Sequence, residues 1–184
     1  MNIQKTSRLL QLLSYGVMLV MPVLLVLFWF GIPGVSGGGA QSVGADVGIN
    51  FIPPSILILH PLSFEDRCIG FLISALPVAL LVYLFYTLSK LFHFFRAGEI
   101  FSLIVVNVIK RIGYLLLAYE IVDTLFDGLM AVAMTWDNPP GHRYIELTFS
   151  GVNGAMMLTA VIVLLVSGIM AEACKLSEEH SLTI

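Results

Sequence analysis

The sequence predicts an all-α membrane protein, a four-helix transmembrane bundle with a glycine-rich first outer loop. Three observations carry this expectation. Of 184 residues, 58% are hydrophobic and only 11% are charged, whereas a soluble domain is nearer a quarter charged. The charges cluster, and four long neutral runs lie between the clusters. Lysine and arginine are also shared unevenly between the two ends of those runs. The mean hydropathy of +0.96 agrees.

A helix needs about 20 apolar residues to cross roughly 30 Å of hydrocarbon. Each run meets that length, and the expected spans are about 9–31, 68–90, 112–135 and 150–171. The first run follows Lys5 and Arg8, as a secretory signal would. Its apolar part exceeds the roughly 7–15 residues of a signal core, so we expect it to be retained as a span. Pro22 lies inside it, removing one helix hydrogen bond and favouring a kink.

The outer loop, about 32–67, begins "GIPGVSGGGAQSVGADVG". A phosphate-cradling loop needs a preceding strand and a following helix, and neither is expected here. Further on, Pro53, Pro54 and Pro61 bracket "SILILH". Proline disfavours helix there, so we expect a short extended segment on the membrane surface. The second span carries Pro77, a second expected kink.

A cytoplasmic turn, about 91–102, follows as "LFHFFRAGEIFS". Gly98 suits the turn, and Glu99 is expected to open a long third helix. "WDNPPGHRYIE" reads as the next turn by its Asn-Pro-Pro-Gly core. In the fourth span Gly151, Ala155, Thr159, Ser167 and Ala171 recur at steps of four or eight. Small residues let helices approach closely in lipid, and we expect this stripe to face the bundle in preference to a second copy of the chain. The tail, about 172–184, should continue helically past Lys175 and then fray.

Orientation follows from the basic residues. Lys5, Arg8, Lys90, Arg96, Lys110, Arg111 and Lys175 fall on one side; Arg67 and Arg143 fall on the other. Both termini are therefore expected in the cytoplasm. Trp29 and Trp136 then belong to the outer interface, which favours indole.

The chemistry of common sites is sparse. There is no G-x-S-x-G stretch or other nucleophile signature. His60, His93, His142 and His180 show no metal-ligand spacing, and topology divides them between the two sides. Cys68 and Cys174 are separated by a bilayer and cannot pair. No basic stripe points to nucleic acid. We expect no catalytic residue, no cofactor and no metal, and no direct nucleic-acid binding.

One feature of the third span, "GYLLLAYEIVDTLFDGLMAVAM", stands apart. Glu120, Asp123 and Asp127 lie deep within it. At about 100° per residue they fall at roughly 0°, 300° and 340°, on one face. Carboxylates facing lipid would cost several kcal/mol each, so the face should point inward or at a partner. Apart from Lys90 at the very end of the second, no Lys, Arg or His lies in any span to pair with it. Three readings stay open: a polar seam satisfied by Ser74, Tyr83, Tyr86, Thr87 and water; a proton or cation site; or contact with a basic membrane partner.

"PVALLVYLFYTLSKLFHFFRAGEIFS", "VIKRIGYLL", "DNPPGHRY" and "MAEACKLSEEHSLTI" resemble an uncharacterised bacterial membrane family. It is catalogued as a domain of unknown function, number two-nine-seven-five. Leu91, Phe92, Gly98, Glu99, Ile100, Phe101, Arg111, Gly113 and Glu179 match its pattern. The resemblance runs from about Pro61 to the C-terminus; the first span and loop fit in outline. It implies four spans in the bacterial inner membrane. Family members are often encoded beside a small Cro/CI-type helix-turn-helix regulator, which makes such a regulator the expected cytoplasmic partner. The expected partner surface combines Phe92, Arg96, Gly98, Glu99 and Phe101 of the turn with Glu178 and Glu179 of the tail. The expected role is regulatory or accessory. The alternative is a small proton- or cation-coupled transporter that uses the acidic face.

Overall fold

The computed structural model describes residues 3–31, 51–53, 56, 58, 62–98, 102–143, 145 and 151–181. Among these there are helices and turns and no strand. Helix α1 spans Ile3–Val26 and continues into a π-helical turn, Leu27–Gly31. Helix α2 spans Phe64–Ala97, α3 Leu103–Thr135 and α4 Gly151–Ser181.

Three segments are long and apolar enough to cross a membrane: Lys5–Gly31, Phe64–Ala97 and Asn153–Ser177. Helix α3, at 33 residues, is as long, but Lys110, Arg111 and the three carboxylates interrupt its apolar sequence. Large apolar side chains point outward on the three apolar helices, among them Leu19, Leu72 and Ile169 at 71%, 70% and 62% exposure. So much exposed apolar surface is rare on a soluble monomer and is what hydrocarbon solvates.

The helix ends have identifiable causes. At the start of α2, Ser63 and Asp66 cap each other reciprocally. The Ser63 amide donates to Asp66 Oδ2 at 2.8 Å, and the Asp66 amide donates to Ser63 Oγ at 3.2 Å. This is a capping box. At its end, Gly98 adopts φ +84° and donates its amide to the Phe95 carbonyl at 3.2 Å, as a C-terminal glycine does. Nothing between Lys90 and Gly98 breaks a helix, so residues 91–97 of the expected turn are helical. Helix α3 begins at Leu103, where Ser102 Oγ accepts the Val105 amide at 3.3 Å. Glu99 and Phe101 lie outside the described residues.

By contact density the chain divides into two units. The first comprises 1–19, 80–120 and 150–184. Its core is Leu91, Val105 and Ile112, flanked by Leu84, Leu88, Phe95 and Leu116. These recur at steps of three, four and seven along α2 and α3, the spacing of one helix face. In α4 the inward seam is Met157, Ala160, Leu164, Ser167, Ala171 and Cys174, which alternates steps of three and four. That seam revises the expected small-residue stripe. Ser167 and Ala171 belong to it, but Ala155 and Thr159 are exposed. The close approach instead rests on Gly113, where a Cβ would lie 2.7 Å from Leu164 Cδ2.

The second unit comprises 20–79 and 121–149. Trp29 is fully buried in it. Its ring meets Phe28 edge-on at 5.4 Å between centroids. It lies so close to Gly70 that a Cβ there would sit 2.0 Å from its Cη2 atom. Trp29 Nε1 is buried without a hydrogen-bond partner among the described residues. Trp136, in contrast, is 66% exposed. Ile56, expected on the membrane surface, is buried at 1% exposure. Its amide donates to the Pro53 carbonyl at 3.1 Å, and the turn tucks the side chain inward. The remainder of "SILILH", apart from Ile58, lies outside the described residues. The Asn-Pro-Pro-Gly turn is stitched by Asn138, whose side-chain amide donates to the His142 carbonyl at 3.1 Å. Gly141 supplies φ +94° there.

Candidate functional site

The acidic face of α3 begins with backbone geometry. Glu120 belongs to the first unit, Asp123 and Asp127 to the second. Along one continuous helix their Cα atoms rise by about 4.5 and 10.5 Å from Glu120. Glu120 is 7% exposed, and the two aspartates are half-buried. On the opposite side, Tyr114, Ile121, Leu125 and Leu129 are exposed. At about 100° per residue this apolar strip is centred roughly 180° from the acids. The acids instead share their side of the helix with Met130, Ala131 and Met134, which are buried. None of the three residues is without an interaction partner.

Four residues named as possible partners occupy specific positions. Ser74 donates its hydroxyl to the Gly70 carbonyl at 2.7 Å, and Thr87 donates to the Tyr83 carbonyl at 2.9 Å. Both protons are therefore committed to their own helix, and both oxygens remain acceptors. Tyr83 and Tyr86 are exposed.

The expected partner surface is described in part. Phe92 is half-buried on the last two turns of α2, while Arg96 and Gly98 are exposed. Arg96 sits in the final turn, where a cation favours the helix dipole. Glu178 and Glu179 fall within α4, and their side chains lie outside the described residues, as do Glu99 and Phe101. Cys68 and Cys174 are free thiols. Among the described residues no group of His, Cys, Asp and Glu has the geometry to hold a metal.

The residue-by-residue reading missed a cavity in the first unit. Its volume is about 550 Å³. Lys90 and Arg111 line it together with Gln11, Asn107 and several aromatic side chains. The Lys90 ammonium stands 4.8 Å from the centre of the Tyr86 ring, within cation–π range. Gln11 and Asn107 were the available signal, since each is a lone amide within an apolar helical stretch.

A family described as "Protein of unknown function (DUF2975)" matches residues 5–184. The chain belongs to that family. The match covers the first apolar run and the glycine-rich loop as well as the region from Pro61 onward. Among curated proteins and among solved structures no similar chain was found. Several residues that carry the DUF2975 resemblance have structural reasons here. Leu91 is buried in the core, Gly98 ends α2 at positive φ, Gly113 admits Leu164, and Arg111 lines the cavity.

Proposed function

We propose that this DUF2975 protein is a four-span protein of the bacterial inner membrane with both termini cytoplasmic. It acts as a non-enzymatic regulatory or accessory protein through the cytoplasmic ends of its helices. The supporting observation is helix length. Helix α2 has 34 residues and α4 has 31, about 51 and 46 Å of helix against roughly 30 Å of hydrocarbon. The excess beyond Lys90 and beyond Ala171 carries exposed Arg96, Glu172, Lys175 and Ser177. Those residues form a helical platform suited to a soluble partner. The resemblance makes a small helix-turn-helix regulator the first partner to test. Reading α3 as the fourth span is supported by its length, 33 residues, and by the exposed apolar strip of Tyr114, Ile121, Leu125 and Leu129.

Affinity isolation from native membranes, with the tag kept on the N-terminus, tests this reading. A stoichiometric soluble partner, lost when the chain is cut after Ala171, is the expected result. Recovery of the protein alone, from full-length and truncated forms alike, would overturn it. The buried Glu120 favours a second reading, proton- or cation-coupled transport. Its test is uptake by liposomes containing purified protein, abolished by Glu120→Gln.

A further inference from the structure

We propose that the cavity between Lys90 and Arg111 binds a phosphate group, supplied by an anionic phospholipid of the surrounding leaflet. The chemistry of the lining comes first. Lys90 and Arg111 bring two positive charges, and among the described residues no carboxylate lines the cavity. A guanidinium grips phosphate through paired N–H donors, and an ammonium adds a strong point charge. Gln11, Asn107 and the phenols of Tyr15 and Tyr86 add neutral donors for the remaining oxygens and for headgroup hydroxyls. The Tyr86 ring holds the Lys90 ammonium from one side at 4.8 Å, which orients it at little entropic cost. The volume of about 550 Å³ lies within the roughly 300–1,000 Å³ of small-ligand sites.

Position selects the source of the phosphate. Lys90 ends the second apolar run, and Arg111 precedes the third. Measured along their helices, they lie about 10 Å from the end of α2 and about 12 Å from the start of α3. Both therefore stand at one level, where hydrocarbon gives way to headgroups. Ile104 lines the cavity and is 58% exposed, and Tyr15 is 48% exposed. An acyl chain leaving a bound headgroup meets these apolar edges and the exposed Leu12 and Leu19 of α1. Basic pockets between spans at a membrane face are suited to anionic headgroups. The inference rests on the membrane placement of the helices, not on a regulatory partner.

Native mass spectrometry of the purified full-length protein tests it. The probes are phosphatidylglycerol, phosphatidylcholine and glycerol phosphate. Phosphatidylglycerol should be retained at least tenfold better than the other two. Lys90→Gln with Arg111→Gln should remove that preference, whereas Lys110→Gln, an equal charge change outside the cavity, should keep it. If the double variant does not fold, each single variant should still lose at least threefold. Arg111→Lys should fall between the wild type and Arg111→Gln. Equal loss in Lys110→Gln, or undiminished retention in the cavity variants, would overturn the site. Glycerol phosphate binding as tightly as phosphatidylglycerol would overturn the lipid as its source. Failure to find a soluble partner for the helical platform leaves every one of these readings unchanged.

Discussion

Trp29 and Gly70 depend on each other. The indole occupies the space that any side chain at Gly70 would need, with 2.0 Å between Cη2 and an added Cβ. Gly70→Ala should therefore destabilise the protein by about 1–3 kcal/mol, the usual cost of overpacking a filled core. Thermal unfolding in detergent measures this. Trp29→Phe placed on top should recover part of the loss, because the smaller ring vacates the contested space. It also abandons no hydrogen bond to the described residues, among which Trp29 Nε1 has no partner. A double variant no more stable than Gly70→Ala alone would show that the clash lies elsewhere. Glu120 makes a different residue-scale case. Glu120→Gln keeps shape and hydrogen-bonding capacity but cannot ionise. A polar seam predicts unchanged stability within about 1 kcal/mol, the size of one ordinary hydrogen bond. A transport site predicts intact folding with lost uptake. Of these sites, the acids were legible in the sequence because charge in an apolar run is conspicuous. The Trp29–Gly70 pair was not. A tryptophan near the end of a span reads as an interfacial anchor, and only the fold reveals the glycine beneath it.

Helix boundaries follow from caps more than from hydropathy. The apolar runs were legible as helices, but their ends were not, because helices continue into water for as long as the backbone is satisfied. The stretch "SFED" contained the capping box, and Gly98 contained the stop of α2. Ser63→Ala should cost about 1 kcal/mol, typical for the loss of a cap. A fall in melting temperature in detergent, partly reversed by Ser63→Thr, is the expected readout. The packing faces were harder to read. In α4 the residues outside the seam are as apolar as those within it, since lipid and core make the same demand. Periodicity therefore carries little information there, and the small-residue stripe was placed partly on the exposed side. The same logic bears on the ends of α2 and α4. Ala97 and Ser177 are both exposed and both in the first unit. With Cys68→Ser and Cys174→Ser removing native thiols, Ala97→Cys with Ser177→Cys should crosslink through short bifunctional reagents. No crosslink at this pair or at neighbouring pairs would separate the two elements and remove a composite partner surface.

At the scale of the whole molecule, the deciding question is how often the chain crosses the membrane. Three segments qualify by length and apolarity, while α3 carries three carboxylates and depends on burying them. Glu120 is buried, Asp123 and Asp127 are half-buried, and the exposed strip of α3 opposite them is apolar, so the helix can turn that strip to lipid. The two counts put the C-terminus on opposite sides. With four crossings, the end of α4 returns to the side where α1 begins. With three, residues 98–150 stay on that side and α4 exits to the other. Cys174 is 8% exposed and reports its own burial as much as its side of the membrane. The exposed Ser177 is the better probe. In a background with Cys68→Ser and Cys174→Ser, Ser177→Cys should resist an impermeant maleimide in intact spheroplasts and react once the membrane is opened. Trp136→Cys, at the far end of α3, should show the reverse. Labelling of Ser177→Cys from outside, with Trp136→Cys protected, would remove α3 from the membrane and leave a three-span protein with an external tail. It would also remove the charge argument for a cytoplasmic platform. Labelling of Trp136→Cys alone establishes that a helix carrying three carboxylates crosses the bilayer.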